Sequence, residues 1–142
     1  MMKIKITLFL LLTFLSIAPL QAINTDSLEI ELNKAKEINK TDILIQLSKA
    51  NWTIAPGKGM FYTNEAVRLA EKHHDEPKKA KALLYGGVNA WFMGLYDNAI
   101  EYYQKSLTIA RKLEDSRLCA YNLNNLGMVN TYLKNYTKAI EN

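Results

Sequence analysis

The sequence predicts an all-α protein, a right-handed α-solenoid of antiparallel helix pairs behind a signal peptide and a capping helix. Three observations predict it. With three prolines and six glycines, the chain has too few breakers for many short strands and tight turns, and Leu, Lys, Ala and Asn are its commonest residues, the first three of which favour helix. The sequence matches itself at an offset of 40 residues. Inside each match, apolar residues recur at helical spacing.

The first 22 residues read as a signal peptide. A short basic start, MMKIK, precedes about a dozen apolar residues and then PLQA, the order of a secretory leader. A spanning helix needs about 20 apolar residues, and Pro19 and Gln21 interrupt too early. Cleavage after Ala22 fits better than cleavage after Ala18, which would leave Pro19 first. An uncleaved anchor is the alternative. No cysteine lies near the cut, which argues against a lipoprotein. The protein is therefore expected to be exported across the inner membrane and to be periplasmic or secreted. It would be held at the membrane only by an uncleaved leader or by a missing downstream segment.

Residues 23–39 follow as an N-terminal capping helix, with its amphipathic part at Asp26 to Glu37. Residues 40–79 form a degenerate first unit. Its helix from Thr41 to Trp52 is joined by a longer connection, Ile54 to Met60, to a helix from Phe61 to His73. The second unit, 80–119, is the clearest. Pro77 suits a first helical turn because its missing N–H is unpaired there anyway. Leu83, Leu84, Gly87, Val88 and Trp91 recur at helical spacing, and Gly94 permits a tight turn. Ala99, Ile100, Tyr103, Leu107 and Ala110 mark the second helix, from Tyr96 to Lys112, and Asp115 or Ser116 can cap the next one. The third unit, 120–142, repeats this as far as a turn at Asn135, which tolerates the left-handed conformation. Its second helix begins at Tyr136 and is truncated at Asn142, so the sequence reads as a fragment of a longer chain. The alternative is that the open face pairs with another molecule.

The offset of 40 carries Tyr62 onto Tyr102, Asp75 onto Asp115, Leu83 onto Leu123 and Gly87 onto Gly127. It carries Tyr96, Ala99, Ile100 and Glu101 onto Tyr136, Ala139, Ile140 and Glu141. These residues resemble the tetratricopeptide repeat, whose pattern runs W-x2-L-G-x2-Y, G-x-Y, A-x3-F/Y, A. Leu83, Gly87, Gly94, Tyr96, Ala99 and Tyr103 match in the second unit, and Leu123, Leu126, Gly127, Tyr136 and Ala139 in the third. Gly86, Ala90 and Asn130 depart from it. The period exceeds the usual one by about six residues. In this longer form the chain is similar to a bacterial group in which a signal peptide precedes such repeats. Many members continue into a membrane helix and then a histidine kinase or a helix-turn-helix regulator.

The resemblance implies a scaffold that binds a protein or peptide, because stacked helix pairs curve and their first helices line a concave groove. Candidate groove residues are Lys81, Leu84, Tyr85, Val88 and Trp91 in the second unit, and Tyr121, Asn124, Asn125, Met128 and Tyr132 in the third. The asparagines can pair with both peptide donors and acceptors, although NLNN also suits a plain polar helix face. A clamp for a terminal carboxylate is not expected, since Lys81 alone is well placed. Gly87, Gly127, Ala99 and Ala139 are expected to let paired helices approach closely, so a bulky residue at Gly127 is expected to cost about 1–3 kcal/mol.

Other chemistry finds little support. The +4 net charge falls to about +2 once a leader carrying Lys3, Lys5 and no acid is removed, too weak and too scattered for a nucleic-acid surface. One cysteine, Cys119, allows no internal disulfide and reads as a small buried residue. His73-His74-Asp75-Glu76 lacks a second cluster to complete a metal site. Ala55 to Gly59 lacks the phosphate-loop pattern. No cofactor, metal or catalytic residue is expected, and enzyme activity stands as a distant third to scaffold and sensor.

Overall fold

A computed structural model describes residues 25–141, with side chains as far as Lys134. The leader and the cleavage site lie outside the described residues. The described residues form six helices and no strand: α1 (25–34), α2 (Glu37–Asn51), α3 (Pro56–Lys72), α4 (Glu76–Phe92), α5 (Tyr96–Lys112) and α6 (Ser116–Glu141). They stack in chain order, with α2 against α3, α4 against α5, and the first helices α2, α4 and α6 side by side.

The stack is set by its corners. Residues with positive φ fall at His74 (54°), Gly94 (74°) and Glu114 (55°), so the chain reverses every 20 residues. At each corner an amide reaches back over the helix end. Asp75 N donates to Ala70 O at 2.8 Å, Leu95 N to Ala90 O at 2.9 Å and Asp115 N to Ala110 O at 3.0 Å, which satisfies carbonyls the helix leaves unpaired. At the first and third corners the next helix is then capped by a side chain. Asp75 accepts from Lys78 N at 3.1 Å and Asp115 accepts from Leu118 N at 2.9 Å. Between corners α3, α4 and α5 each run 17 residues.

Two apolar clusters fill the stack. One joins Leu28 of α1 to Ile43, Leu44 and Leu47 of α2 and to Tyr62, Ala66 and Leu69 of α3. The other joins Leu84, Val88 and Ala90 of α4 to Ala99 and Tyr103 of α5 and to Leu118 and Val129 of α6. Between them lies a polar layer. Asn89, 1% exposed, donates through Nδ2 to Tyr85 O at 2.8 Å, to Ser48 Oγ at 3.0 Å and to Ser48 O at 3.3 Å. Ser48 Oγ in turn meets Thr63 Oγ1 at 2.7 Å. A smaller layer repeats further on: Asn122 Nδ2 donates to Ser106 Oγ at 2.9 Å, and Ser106 Oγ donates to Ala80 O at 2.8 Å.

Four expectations are corrected. Residues 54–60 are not a long connection, because α3 begins at Pro56. Proline is preset for that first turn, and Gly59 lies inside the helix because the space a Cβ would fill there is occupied by the amide of Asn89. The capping helix is shorter than 23–39. The chain bends at 35–36, where Lys36 is extended, and residues 37–39 belong to α2. There is no turn at Asn135, since α6 runs unbroken for 26 residues. Extending a formed helix adds one hydrogen bond per residue fixed, and Asn135 does not compel a break. Gly127 is not packed: nothing described lies within 4 Å of the Cβ it would carry. Leu83 is 5% exposed under α5, while its counterpart Leu123 is 51% exposed.

Helix α1 is pinned by Glu29, which meets Lys58 Nζ at 2.5 Å and accepts from Tyr62 Oη at 2.8 Å. The Lys58 ammonium, and then the Tyr62 hydroxyl, hold the Glu29 carboxyl below its usual range. This contact therefore stabilises docking above the carboxyl's unfolded pKa and is lost as pH falls through the lowered folded value. Hydrogen exchange, corrected for its intrinsic pH dependence, should show residues 25–34 losing protection below about pH 4 before α2 to α5 do. Glu29→Gln should produce the same early loss at neutral pH. Unchanged protection in that variant would remove the assigned role of the contact.

Candidate functional site

The first helices present one stripe each. On α4 it runs Lys81, Tyr85, Val88, Phe92; 40 residues on it runs Tyr121, Asn125, Met128, Tyr132 on α6. Between α4 and α6, beside the end of α2, lies a cavity of about 290 Å³ lined by Trp52, Val88, Trp91, Phe92, Tyr103, Asn125, Met128 and Val129. Four predicted residues, Val88, Trp91, Asn125 and Met128, meet here. Apolar walls with a single side-chain amide suit the burial of an apolar group whose backbone can hydrogen-bond at the rim.

The other predicted residues surround this cavity or fall elsewhere. Tyr132, 42% exposed, packs behind the Trp91 wall, with its ring 5.2 Å from Trp91 and 5.0 Å from Tyr96. Asn124 is exposed and leans on Met128, with Nδ2 3.7 Å from Sδ. Tyr121 and Lys81 are exposed. Tyr85 is half-buried under the Lys49 ammonium, which stands 6.0 Å from the ring centroid. Leu84 does not face the groove. It is 7% exposed and belongs to the core, because α4 packs against neighbours on most of its circumference and periodicity alone cannot say which side is left open. Val88 is also buried, at 8%, and reaches the groove only as cavity wall.

Sequence reasoning missed Trp52, Phe92, Tyr103 and Val129. A signal for three aromatics was available: Trp52, Phe92 and Tyr132 stand at intervals of 40 residues, and the Trp52 and Phe92 rings lie 5.9 Å apart. Such repetition marks one layer of the stack. A larger cavity of about 640 Å³ lies on the other side, between α3 and α5, over Val67, Leu83, Tyr102 and Ile109. It is rimmed by mutually paired charges, Lys79 with Glu71 at 2.9 Å and Lys105 with Glu101 at 2.6 Å.

The electrostatics of the smaller cavity are quiet. Tyr103 is the one titratable lining residue, and burial pushes its hydroxyl well above its ordinary pKa, so it stays neutral. The histidines lie away at the α3–α4 corner, where His73 Nε2 is 3.7 Å from Glu37. Among the described residues no three His, Cys, Asp or Glu side chains cluster as metal ligands, and no helix is long and apolar enough to cross a membrane. Cys119 is half-buried beside the second apolar cluster.

Helical hairpins stacked at a fixed period, with an apolar cleft between successive first helices, define an α-helical repeat protein. The tetratricopeptide repeat family model matches residues 79–142. Among solved structures, the crystal structure of the TPR domain of Arabidopsis FLU is similar, with a TM-score of 0.56 and 21% identity over 75% of this chain and 98% of that one. No curated protein shows a significant match. Residues 79–142 thus match the tetratricopeptide repeat, and the described helices share the fold of a tetratricopeptide-repeat domain.

Proposed function

We propose that the chain is an exported scaffold that holds a protein or peptide in the groove between α4 and α6. The observation that carries this reading is the aromatic-walled cavity with Asn125 at its side. A bound segment would insert one apolar side chain there and use the amides of Asn124 and Asn125 for its backbone. Fixed aromatic walls lose little rotamer entropy on binding, which favours them as anchors. The cavity lining offers no carboxylate, imidazole, thiol or ammonium, which supports holding over catalysis. Export rests on the basic-then-apolar leader.

A second reading keeps the same groove and makes it the extracytoplasmic sensory part of a longer signalling protein, a histidine kinase or a helix-turn-helix regulator. The long 40-residue period behind a leader supports it.

A peptide-display selection against the purified chain tests the groove. Peptides enriched on the wild type should bind Tyr85→Ala/Asn125→Ala at least about tenfold more weakly, roughly 1.4 kcal/mol, with helical circular dichroism unchanged. Equal binding by the double variant would move the site elsewhere.

A further inference from the structure

The charges on the first helices are lopsided. After Glu76, α4 carries Lys78, Lys79 and Lys81 and no acid. Arg117 opens α6, and no acid follows it until Glu141. Lys78 is held by Asp42 at 3.1 Å and Asp75 at 3.3 Å, and Lys79 by Glu71 at 2.9 Å. Lys49, Lys81 and Arg117 are exposed and enter no ion pair among the described side chains. Arg117 also sits in the first turn of its helix, where the backbone dipole disfavours a cation. An anion arriving from outside would relieve that cost.

Lys81 and Arg117 lie toward the starts of α4 and α6, away from the apolar cavity, whereas Lys49 lies in the last turn of α2, three residues before the cavity wall Trp52. Lys81 precedes Val88 by seven residues and Trp91 by ten, a rise of about 10–15 Å. An extended peptide covers that distance in about three to five residues. We propose that the groove takes an acidic segment with an apolar anchor: Asp or Glu side chains against Lys81 and Arg117, and a Phe, Leu or Met side chain some four residues away in the cavity. This inference rests on the groove reading and adds the chemistry of its occupant. The occupant is an internal stretch of chain, recognised by its side-chain charge and its anchor, with no requirement for a free terminus.

The probes are fluorescent peptides of about ten residues with both ends blocked, made with the anchor on either side of the charges. One set carries three acids and a Phe four residues away. A second replaces the acids by lysines, and a third replaces Phe by Ser. Anisotropy titrations should show the acidic Phe peptide binding at least about tenfold more tightly than either alternative, and weakening as salt rises. Lys81→Glu/Arg117→Glu, a change of two exposed side chains, should erase the preference for acid while the dependence on Phe remains. The proposal is overturned if lysine and acidic peptides bind alike, if the double charge reversal binds the acidic peptide as the wild type does, or if no peptide binds. Phe peptides that bind regardless of charge, and lose binding to Met128→Asp, would overturn the charge preference and leave the groove reading standing. Binding indifferent to Met128→Asp and to Tyr85→Ala/Asn125→Ala would overturn both.

Discussion

Leucine in place of Gly87 is expected to cost about 3 kcal/mol of stability, whereas leucine in place of Gly127, its counterpart one period later, is expected to cost nothing. A Cβ on Gly87 would stand 2.5 Å from Cδ1 and 2.8 Å from Cζ of Tyr103 and closer still to Cε1. That ring is 3% exposed and sits among the buried residues of the second cluster, so it has no free space to swing into. The helix axes must part, and the loss exceeds the roughly 1 kcal/mol that removing a glycine from a helix returns. At Gly127 the propensity gain stands alone, because nothing described lies within 4 Å. Thermal melts followed by circular dichroism should separate the two variants by roughly 10 °C or more. Equal losses would mean that α6 is covered as α4 is.

Asn89→Asp should destabilise the stack by about 3–5 kcal/mol at neutral pH, and the loss should shrink as the solution is acidified. The amide nitrogen of Asn89 donates to the carbonyls of Tyr85 and Ser48 and to the Ser48 hydroxyl. A carboxylate has no proton for them and would face two carbonyl oxygens in a site 1% exposed. Burial and those oxygens raise the folded pKa of such a group above its unfolded value of about 3.9. A raised carboxyl binds its proton more tightly when folded. The penalty is therefore full above the raised pKa and falls away as pH approaches the unfolded one. Urea unfolding between about pH 4 and 8 measures it. A penalty independent of pH would mean that the lost donor matters and the buried charge does not.

What the sequence makes legible is periodic and local. The offset of 40 and the caps at Asp75 and Asp115 are repeated residues with one job each, and α4 and α5 follow within a residue of their expected ends. What it hides is decided by distant residues. Gly57 and Gly59 look like breakers, yet α3 passes through both, because Gly59 answers to Asn89 on another helix. Leu84 and Tyr85 adjoin in sequence, and only the packing of neighbouring helices makes one core and the other half-exposed. The aromatic positions Trp52, Phe92 and Tyr132 carry their periodic signal openly, but that the first two meet at one cleft, with Tyr132 against its Trp91 wall, depends on how closely α2, α4 and α6 lie. At Asn135 the sequence pattern favours a turn, while helix propagation carries α6 straight on.

The Ser48–Thr63–Asn89 layer also gives the stack a mechanical character. Burial of apolar area has no preferred direction, so packed helices can slide with little loss while the area kept from water is unchanged. A hydrogen bond is directional and short in range, and it weakens steeply once its angle opens. The layer therefore works as a dowel, resisting the sliding of α2, α3 and α4 that the apolar contacts around it would tolerate. It also holds the carbonyl of Tyr85 through Asn89, next in sequence to the cleft wall Val88, so the bonds that fix the register of the helices fix the width of the cleft as well.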